Sequence, residues 1–478
     1  MSARLVCALA LLALAAGCGG AASTEDPTLA PAPVTTRRLQ AAGRDLRDEH
    51  GRLVLLRGFN AGGRAKMPPY LPFDAAPADT AAAADAFFAT LEGLGANVVR
   101  LTLSWEALEP VRGARDLDYW QRYRALVDAA HAHGLAVIVE AHQDVYASPF
   151  CGDGLPLWTL GDVPHGLPRY DCGALDWALP YFDPASPVNQ AFQRFWDDAD
   201  GIQTDFVAMW RFVATELDGH PGVAAFEVLN EPGPGAAEPA VFESTALPAF
   251  HARVGAAIRA QAGDVVVLGG AVAGAASDAH AVALPDLPGF VYAPHYYDSV
   301  AYLGIDLVDP ERIRAGIVQS IALPGDPAVP VVIGEWGVPN RNPGKAAYVE
   351  AMVAVFDELR LHAVAWDAQA AAERWNGEDF SVLGPDGAEA SWADAVARPY
   401  PRAVAGASFR FGFDPAAARL WLEVDGAAAG VTEVFVPVRH FGAAPRVATS
   451  ARWRWLPDAQ TLLVAAAPGG TYRVDVAR

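Results

Sequence analysis

The chain has 478 residues, of which 52% are hydrophobic, so it can bury a large core and is not a disordered protein. Its 56 acidic residues outnumber its 35 basic residues, and the formal net charge is −21. The sequence has no basic cluster of the kind that binds a phosphate backbone, which argues against nucleic acid as a partner.

The N-terminus reads "MSARLVCALALLALAAGCGG", with Arg4 before an apolar run that is too short to span a bilayer. This pattern predicts a cleaved export signal. The segment "LAAGC", which ends at Cys18, is similar to a bacterial lipobox and would make Cys18 a lipidated residue. An ordinary signal peptide is the alternative. We therefore predict a lipoprotein signal peptide at 1–18 and a flexible tether, rich in Ala, Thr and Pro, at 19–38.

Eight short apolar runs then alternate with amphipathic helical stretches. They are "LVLLRGFN" (53–60), "NVVRLTLSW" (97–105), "LAVIVEAHQD" (135–144), "VAAFEVLNEP" (223–232), "VVVLGG" (265–270), "FVYAPHYY" (290–297), "VPVVIGEWG" (329–337) and "HAVAWDAQ" (362–369). Continuous Val, Ile and Leu are typical of parallel strands buried on both faces, with helices as crossovers. The fold class is therefore α/β, and we predict a (β/α)8 TIM barrel over 39–397.

The connection between the third and fourth runs is the longest and contains Cys151 and Cys172. If Cys7 leaves with the signal and Cys18 carries lipid, these two are the only cysteines of the folded part. An even pair in an exported chain predicts one disulfide, with two free buried thiols as the alternative. Long insertions in barrels usually lie on the active-site face.

After residue 398 the apolar residues alternate with a period of two, as in Phe409, Phe411 and Phe413, or Val434, Val436 and Val438. Such alternation between turns is typical of antiparallel strands. We predict a small C-terminal antiparallel β-sandwich domain at 398–478.

Polar residues are concentrated where the predicted strands end, which is the active face of a barrel enzyme. The residues at these ends are His142, Gln143, Asp144, Asn230, Glu231, His295, Tyr296, Tyr297, Glu335 and Trp336. In addition, the second run contains Arg100 and the eighth carries Trp366. Glu231 and Glu335 follow the fourth and seventh strands, so they face each other across the barrel. Cleavage of a glycosidic bond needs such a pair, one to protonate the leaving oxygen and one on the other side of the sugar.

Three neighbours of this pair suit the same chemistry. Arg100 and Tyr297 could hold Glu335 ionised, because a nearby cation and hydrogen bonds favour a carboxylate. Asn230, which directly precedes Glu231, could bond the 2-hydroxyl of the sugar.

The sequence resembles glycoside hydrolase family 5, a family of retaining barrel enzymes. The motifs that carry this resemblance are "NEP" after strand four, "GEWG" after strand seven, the Arg of strand two, the His of strand three, "HYY" after strand six and the late Trp. The resemblance covers about 53–370. It implies that Glu231 is the acid/base, Glu335 the nucleophile and Asn230 the partner of the 2-hydroxyl. It also implies that Trp366 is the platform beneath the sugar in the −1 subsite. The supporting shell would consist of Arg100, His142, His295 and Tyr297.

A narrower resemblance rests on "EAHQDVY", "NAGGRAKMPPYLPF", the Cys-containing insertion and the C-terminal β-sandwich. These features are similar to the endoglycoceramidase branch, which releases the intact glycan from glycosphingolipids. The resemblance implies that Asp144 contacts the sugar ring and that Lys66 is a second contact. The segment "DAQAAAERWNGEDFSVL" after Trp366 departs from this pattern, because it is rich in Ala where polar sugar contacts are expected.

Two alternatives remain at this point. The same chemistry could act on a β-glucan, a mannan or another β-glucoside such as a steryl glucoside, or the chain could be a non-catalytic surface glycan-binding lipoprotein. We expect a glycolipid or oligosaccharide as partner, no cofactor and no metal, and a monomer. We expect an exported protein, either a bacterial cell-envelope lipoprotein or a secreted protein, that meets the membrane through a lipid anchor and through its substrate-facing surface.

Overall fold

A computed structural model describes residues 25–76, 79–173, 179–181, 183–272, 281–305, 308–325 and 328–478. The predicted signal peptide, Cys18 and the first part of the predicted tether lie outside these residues. Within the described ranges, no helix has both the length and the apolar character needed to cross a membrane.

The eight predicted apolar runs all form parallel strands of one barrel. In chain order these strands are Arg57–Ala61, Val98–Leu103, Ala136–Ala141, Val223–Glu227, Val266–Gly269, Phe290–Tyr292, Val332–Ile333 and His362–Ala365. The eighth strand pairs with the first through Ala363 and Arg57. The sixth and seventh strands meet at a bridge between Tyr292 and Val331, and beyond it His295–Tyr296 pairs with Glu335–Trp336. The prediction of a TIM barrel is confirmed.

Helices connect the strands and surround the barrel. The α-helices of this region are Thr80–Gly93, Trp105–Leu108, Leu117–Ala132, Pro187–Trp196, Ile202–Glu216, Pro239–Ser244, Ala246–Ala262, Ser299–Tyr302, Pro310–Ala322, Lys345–Leu359 and Ala393–Val396. Short 3-10 turns are Gly63–Lys66, Ser148–Phe150, Leu157–Thr159, Ala199–Gly201 and Trp375–Gly377. In the helix Leu117–Ala132, the Asp116 side chain caps the first turn by accepting a hydrogen bond from the Tyr119 amide, and residues spaced three or four apart, such as Trp120 and Tyr123, face the core.

The barrel interior is filled at its N-terminal end and leaves the C-terminal end for polar groups. Val98, Ile138 and Val266 belong to one buried cluster there, which Leu39 and Leu46 of the N-terminal hairpin also join. Packing at this end fixes the strands, so the residues at their other ends are held on a rigid frame.

Two antiparallel sheets lie outside the barrel and share one apolar core. The first contains Gln40–Ala42, Asp45–Arg47, Leu53–Val54, Tyr400–Val404, Thr432–Phe435, Arg452–Leu456 and Thr461–Ala465, and the second contains Ser408–Asp414, Arg419–Asp425, Arg446–Thr449 and Tyr472–Ala477. A short helix, Val438–Phe441, lies between them in the chain. The alternating residues Phe409, Phe411 and Val434 lie in the shared core, so the predicted antiparallel domain is confirmed.

The N-terminal segment is associated with this domain more closely than the predicted boundaries imply. Residues 40–54, assigned to the barrel domain from the sequence, supply three strands of the larger sheet. Residues 25–38, assigned to a flexible tether, run along the protein: the amide of Asp26 donates to the carbonyl of Trp453 at 2.7 Å, and Leu29 is buried. The amide of Arg37 donates to Pro221. Backbone partners on an edge strand thus order a stretch whose composition resembles that of a linker.

Candidate active site

Glu231 and Glu335 lie side by side at the C-terminal end of the barrel. Carboxylate oxygens of the two residues and a ring nitrogen of His295 are all within 4.8 Å of one another. Retaining glycosidases hold their two carboxyl groups about 5 to 5.5 Å apart, whereas inverting enzymes hold them about 6.5 to 9.5 Å apart. The observed spacing therefore fits the retaining geometry.

Glu335 is buried and each of its oxygens has a partner. Arg100 Nη1 donates to Oε1 at 2.8 Å, and the Tyr297 hydroxyl donates to Oε2 at 2.9 Å. Burial opposes ionisation, but the positive charges of His295 and Arg100 outweigh it and lower the pKa of Glu335. The residue is therefore an anion at neutral pH, as a nucleophile requires.

Arg100 is fully buried and joins the ends of four strands. Its guanidinium makes two parallel hydrogen bonds to Glu227, at 2.7 and 2.8 Å, and a further one to Asn230 at 2.8 Å. The first strand contributes Asn60, whose Oδ1 accepts from Nη1 at 2.8 Å. Burial disfavours the charge, yet the surrounding carboxylates keep the pKa of Arg100 well above its usual range. This planar fork fixes Asn230 and Glu335 relative to each other.

Glu231 has a constrained backbone. Its φ is +34°, in the left-handed region that disfavours most side chains. The Gln143 side-chain amide donates to the carbonyls of Asn230 and Glu231 at 2.7 and 2.8 Å, and the Tyr181 hydroxyl also donates to the Glu231 carbonyl. The carboxylate lies 2.8 Å from Nδ1 of His295. Several contacts thus hold the backbone and the carboxylate of Glu231.

The other predicted sugar contacts form a continuous group beside this pair. The His142 ring stacks on Trp366 with centroids 5.3 Å apart and planes at 10°. Its Nδ1 lies 3.1 Å from both oxygens of Glu140, and its Nε2 is 3.5 Å from Asp144. Lys66 Nζ contacts the same Asp144 carboxylate at 2.6 Å. The structure therefore brings together all the predicted catalytic, binding and supporting residues.

Several residues of the site were missed in the sequence. They are Asn60, Glu140, Tyr181, Glu227, Tyr302, Trp375, Glu378 and Phe380. Gln143 is among the polar residues noted at the strand ends, but the sequence assigns it no role. Glu140 and Glu227 could have been found, because each is a charged residue inside an apolar run. Glu378 and Trp375 lie in the Ala-rich segment after Trp366 and had no comparable signal.

An aromatic wall borders the pocket on the side of strands six and eight. Tyr297 packs against Tyr302 and Phe380 with ring centroids 5.9 and 6.1 Å apart, and Tyr302 and Phe380 are 5.6 Å apart. Since the Tyr297 hydroxyl holds Glu335, this wall also positions the nucleophile candidate.

The predicted disulfide between Cys151 and Cys172 is present, and both residues are buried. Asn376 contacts both sides of it: its side-chain amide donates to the Cys151 carbonyl at 2.7 Å, and its Oδ1 accepts from the Cys172 amide at 2.9 Å. The bridged loop after strand three is therefore fastened to the loop after strand eight.

Two groups of side chains are close enough to hold a metal ion. They are His142 with Asp144 and Asp153, and Glu231 with Glu335 and His295. In the first group Lys66 already supplies a positive charge at Asp144, and in the second Arg100 does so at Glu335.

Comparison with known proteins agrees with this geometry. Residues 52–372 match the family described as Cellulase (glycosyl hydrolase family 5), and residues 398–476 match the glycoside hydrolase family 5 C-terminal domain. Endoglycoceramidase I of Rhodococcus hoagii is 34% identical over 209 residues, which are 42% of this chain and 38% of that protein. This chain thus spans well under half the length of the first curated relatives that it matches.

Solved structures match over a larger part of the chain. Endo-glycoceramidase II from Rhodococcus sp., in a complex with ganglioside GM3, is 26% identical with a TM-score of 0.76, and the match covers 91% of this chain and 99% of that one. Sterylglucosidase 1 of Cryptococcus neoformans is 17% identical with a TM-score of 0.76, covering 94% and 99%. The second likeness shows the shared fold alone.

Proposed function

The chain belongs to glycoside hydrolase family 5, and from this premise we propose that it is a retaining glycosidase that cleaves the β-glycosidic bond between the glycan and the ceramide of glycosphingolipids. The observation that carries the retaining mechanism is the pair of carboxylates, Glu231 and Glu335, with oxygens within 4.8 Å of each other.

The reaction has two displacement steps. In the first, Glu335 attacks the anomeric carbon while Glu231 protonates the departing oxygen of the aglycone, which leaves a covalent glycosyl ester on Glu335. In the second, Glu231 takes a proton from water, and the resulting hydroxide displaces Glu335 and releases the sugar with its original configuration. Asn230, whose Oδ1 accepts a hydrogen bond from Arg100, makes the hydrogen bond to the 2-hydroxyl that strengthens in both transition states.

His142, Asp144, Lys66 and Trp366 are the proposed glycone contacts. They form one group beside Glu335, in which the Trp366 ring lies next to the charges of Lys66 and Asp144. Stacking on an aromatic ring combined with charged hydrogen-bond partners suits a sugar, which has one apolar face and a rim of hydroxyl groups.

The distribution of exposed apolar side chains favours a lipid aglycone. The large hydrophobic residues that are exposed within the described ranges are all aliphatic, and most of them follow barrel strands two, three, four and six: Val111, Leu117, Leu157, Leu167, Leu179, Val241, Leu303 and Ile305. These connections lie on the active-site face. A polysaccharide cleft would instead present a row of exposed aromatic rings. Similarity to endoglycoceramidases supports the same substrate class.

We further propose that Cys18 carries a lipid and holds the enzyme at the surface of the cell envelope, as "LAAGC" indicates. With this anchor, the exposed aliphatic residues and the substrate lie at the same membrane. Replacing Cys18 with Ser should move active enzyme from the membrane fraction to the soluble fraction; an unchanged distribution would contradict lipidation.

The substrate is tested with purified enzyme on a panel that contains lactosylceramide, ganglioside GM3, a steryl glucoside, a soluble β-glucan and a β-mannan. Release of the intact oligosaccharide together with ceramide is the expected result. Turnover confined to the glucan, mannan or steryl glucoside would assign the same chemistry to another substrate. Binding without any turnover would favour a non-catalytic glycan receptor. Glu335→Gln, which removes the nucleophile but keeps the shape of the side chain, controls for contaminating activity.

A further inference from the structure

Two carboxylates contact the single positive charge of Lys66. Its side chain is buried, and Nζ lies 2.6 Å from Asp144 and 3.2 Å from each oxygen of Glu378. The same atom is 4.4 Å from the ring centroid of Trp366 and 4.0 Å from that of Trp375. An ammonium group has three N–H donors, so the two carboxylates can engage them all in the free enzyme.

We propose that Glu378 is a further substrate-binding residue, which binds a glycone hydroxyl adjacent to the one bound by Lys66 and Asp144. The three side chains would thereby recognise a pair of neighbouring hydroxyl groups of the sugar. This inference rests on the proposed glycosidase function, and it adds a residue that the family resemblance and the comparisons do not assign.

Glu378 lies close to the residues that hold the catalytic pair. Two residues further along the chain, Phe380 packs against Tyr297, whose hydroxyl donates to Glu335. Phe380 also packs against Tyr302 in the aromatic wall. The side chain of Glu378 is 13% exposed, whereas that of Lys66 is 1% exposed. Glu378 is therefore more exposed than Lys66, and about as exposed as Asp144.

A purely structural role does not account for this carboxylate. Asp144 already pairs with Lys66 at the shorter distance, and it also lies 3.5 Å from Nε2 of His142. A second buried carboxylate at the same ammonium adds a desolvation cost without adding a cation. A sugar that takes over one donor of Lys66 and satisfies an oxygen of Glu378 would make use of both groups.

The position of Glu378 is well defined. It directly follows the 3-10 turn Trp375–Gly377, and its amide donates to the Trp375 carbonyl at 2.9 Å. Asn376, in the middle of this turn, is bound to the backbone of Cys151 and Cys172. The disulfide loop thus fixes the turn that precedes Glu378. Residues that recognise a ligand are commonly held in place by such supporting contacts.

The charge state of Glu378 gives a signature that a structural residue would not. Burial raises the pKa of Glu378 to about 7 although Lys66 opposes this shift, while the charge of Lys66 outweighs burial and lowers the pKa of Asp144. The titratable groups that face Glu378 are Lys66, Asp144, Glu335, Asp367, Tyr297 and Tyr302. Since an ionised carboxylate accepts a hydroxyl more strongly than a neutral acid, KM should fall as the pH rises through this range.

The test compares Glu378→Gln and Glu378→Ala with Glu373→Gln. Glu373 lies on the same loop, is 69% exposed and pairs with Arg64, so its substitution controls for charge without touching the pocket. Hydrolysis of 2,4-dinitrophenyl β-glucoside and of lactosylceramide in micelles is measured between pH 5 and 9. For both Glu378 variants we expect KM to rise about ten- to hundredfold with a smaller change in kcat, and the change of KM near neutral pH to disappear.

The 3-, 4- and 6-deoxy analogues of the dinitrophenyl glucoside identify the hydroxyl. One analogue that is poor for the wild type should be no worse than the parent sugar for Glu378→Ala. Equal KM values and pH profiles for wild type and Glu378 variants, in proteins with unchanged thermal unfolding, would overturn the assignment. The assignment would also be overturned if the Glu378 variants lost the same factor in kcat/KM on the parent glucoside and on every deoxy analogue. If the wild type hydrolyses none of these glycosides, the proposed function itself fails, which is a distinct outcome.

Discussion

The side-chain amide of Gln143 holds the backbone of Glu231 in a left-handed conformation. Its Nε2 donates to the Glu231 carbonyl at 2.8 Å and to the neighbouring Asn230 carbonyl at 2.7 Å, while its Oε1 accepts from the Tyr146 amide at 2.9 Å. Such a backbone conformation costs about 1 to 3 kcal/mol and persists only where the surroundings enforce it. Gln143, which follows the third strand, thus positions the acid/base candidate Glu231, which follows the fourth.

Replacing Gln143 with Leu should therefore lower kcat more than it raises KM. The carboxylate of Glu231 would relax away from the leaving oxygen, and a displacement of 1 Å can cost about a hundredfold in rate. Steady-state kinetics on lactosylceramide measure the effect. Gln190→Leu is the control, because Gln190 is exposed on the helix Pro187–Trp196. A KM effect with unchanged kcat would mean that Gln143 does not position the catalytic group.

His295→Asn tests the electrostatic support of Glu335. The imidazole Nδ1 is 3.5 Å from Oε2 of Glu335, and the neighbouring carboxylates outweigh burial to raise the pKa of His295. Loss of this positive charge should raise the pKa of Glu335. Because Glu335 must be ionised to attack, the acidic limb of the kcat/KM profile should move to higher pH by about one unit. The exposed His165, changed in the same way, should leave the limb in place. A shift to lower pH would contradict this electrostatic role.

Loss of the disulfide should affect both stability and binding. The double variant Cys151→Ser, Cys172→Ser should lose about 2 to 4 kcal/mol of unfolding free energy, measured with urea. Because Asn376 is bonded to the backbone at both cysteines, the loop after strand eight should also loosen, and KM should rise. A stability loss with unchanged KM would show that the bridge does not support the pocket.

The sequence predicts those parts of the site that follow from strand ends. Apolar runs mark the barrel strands, and the polar residues that end them lie on one face, so Glu231 and Glu335 could be brought together without coordinates. The residues that hold these side chains in place could not be predicted from the sequence. Gln143 acts through its contacts with a strand that is distant in sequence, and Glu378 depends on a loop whose position is set by the disulfide.

The domain boundaries show the same limit. Leu53 begins an apolar run that continues into the first barrel strand, so periodicity alone joins the two. In the structure Leu53 pairs with Val404, and the barrel strand begins only at Arg57. An apolar run does not indicate which sheet each half of the run joins, because the barrel and the antiparallel sheet both bury apolar side chains.

Glu231→Ala should separate substrates by their leaving groups. A ceramide alkoxide needs a proton to depart, whereas dinitrophenolate does not. The variant should lose about 10² to 10⁴-fold on lactosylceramide and much less on the first step with 2,4-dinitrophenyl β-glucoside. Stopped-flow measurement of phenolate release isolates that step. Equal losses on both substrates would contradict the acid role of Glu231.

The stereochemistry of azide rescue distinguishes the two carboxylates. Glu335→Ala should lose several orders of magnitude in rate, because the covalent intermediate cannot form. Azide should enter the vacated space, displace the aglycone of the dinitrophenyl glucoside directly and give the α-glycosyl azide. With Glu231→Ala, azide should instead attack the intermediate on Glu335 and give the β-azide after two inversions. NMR coupling constants of the isolated products identify each configuration. A β-azide from Glu335→Ala, with an α-azide from Glu231→Ala, would show that the two roles are reversed.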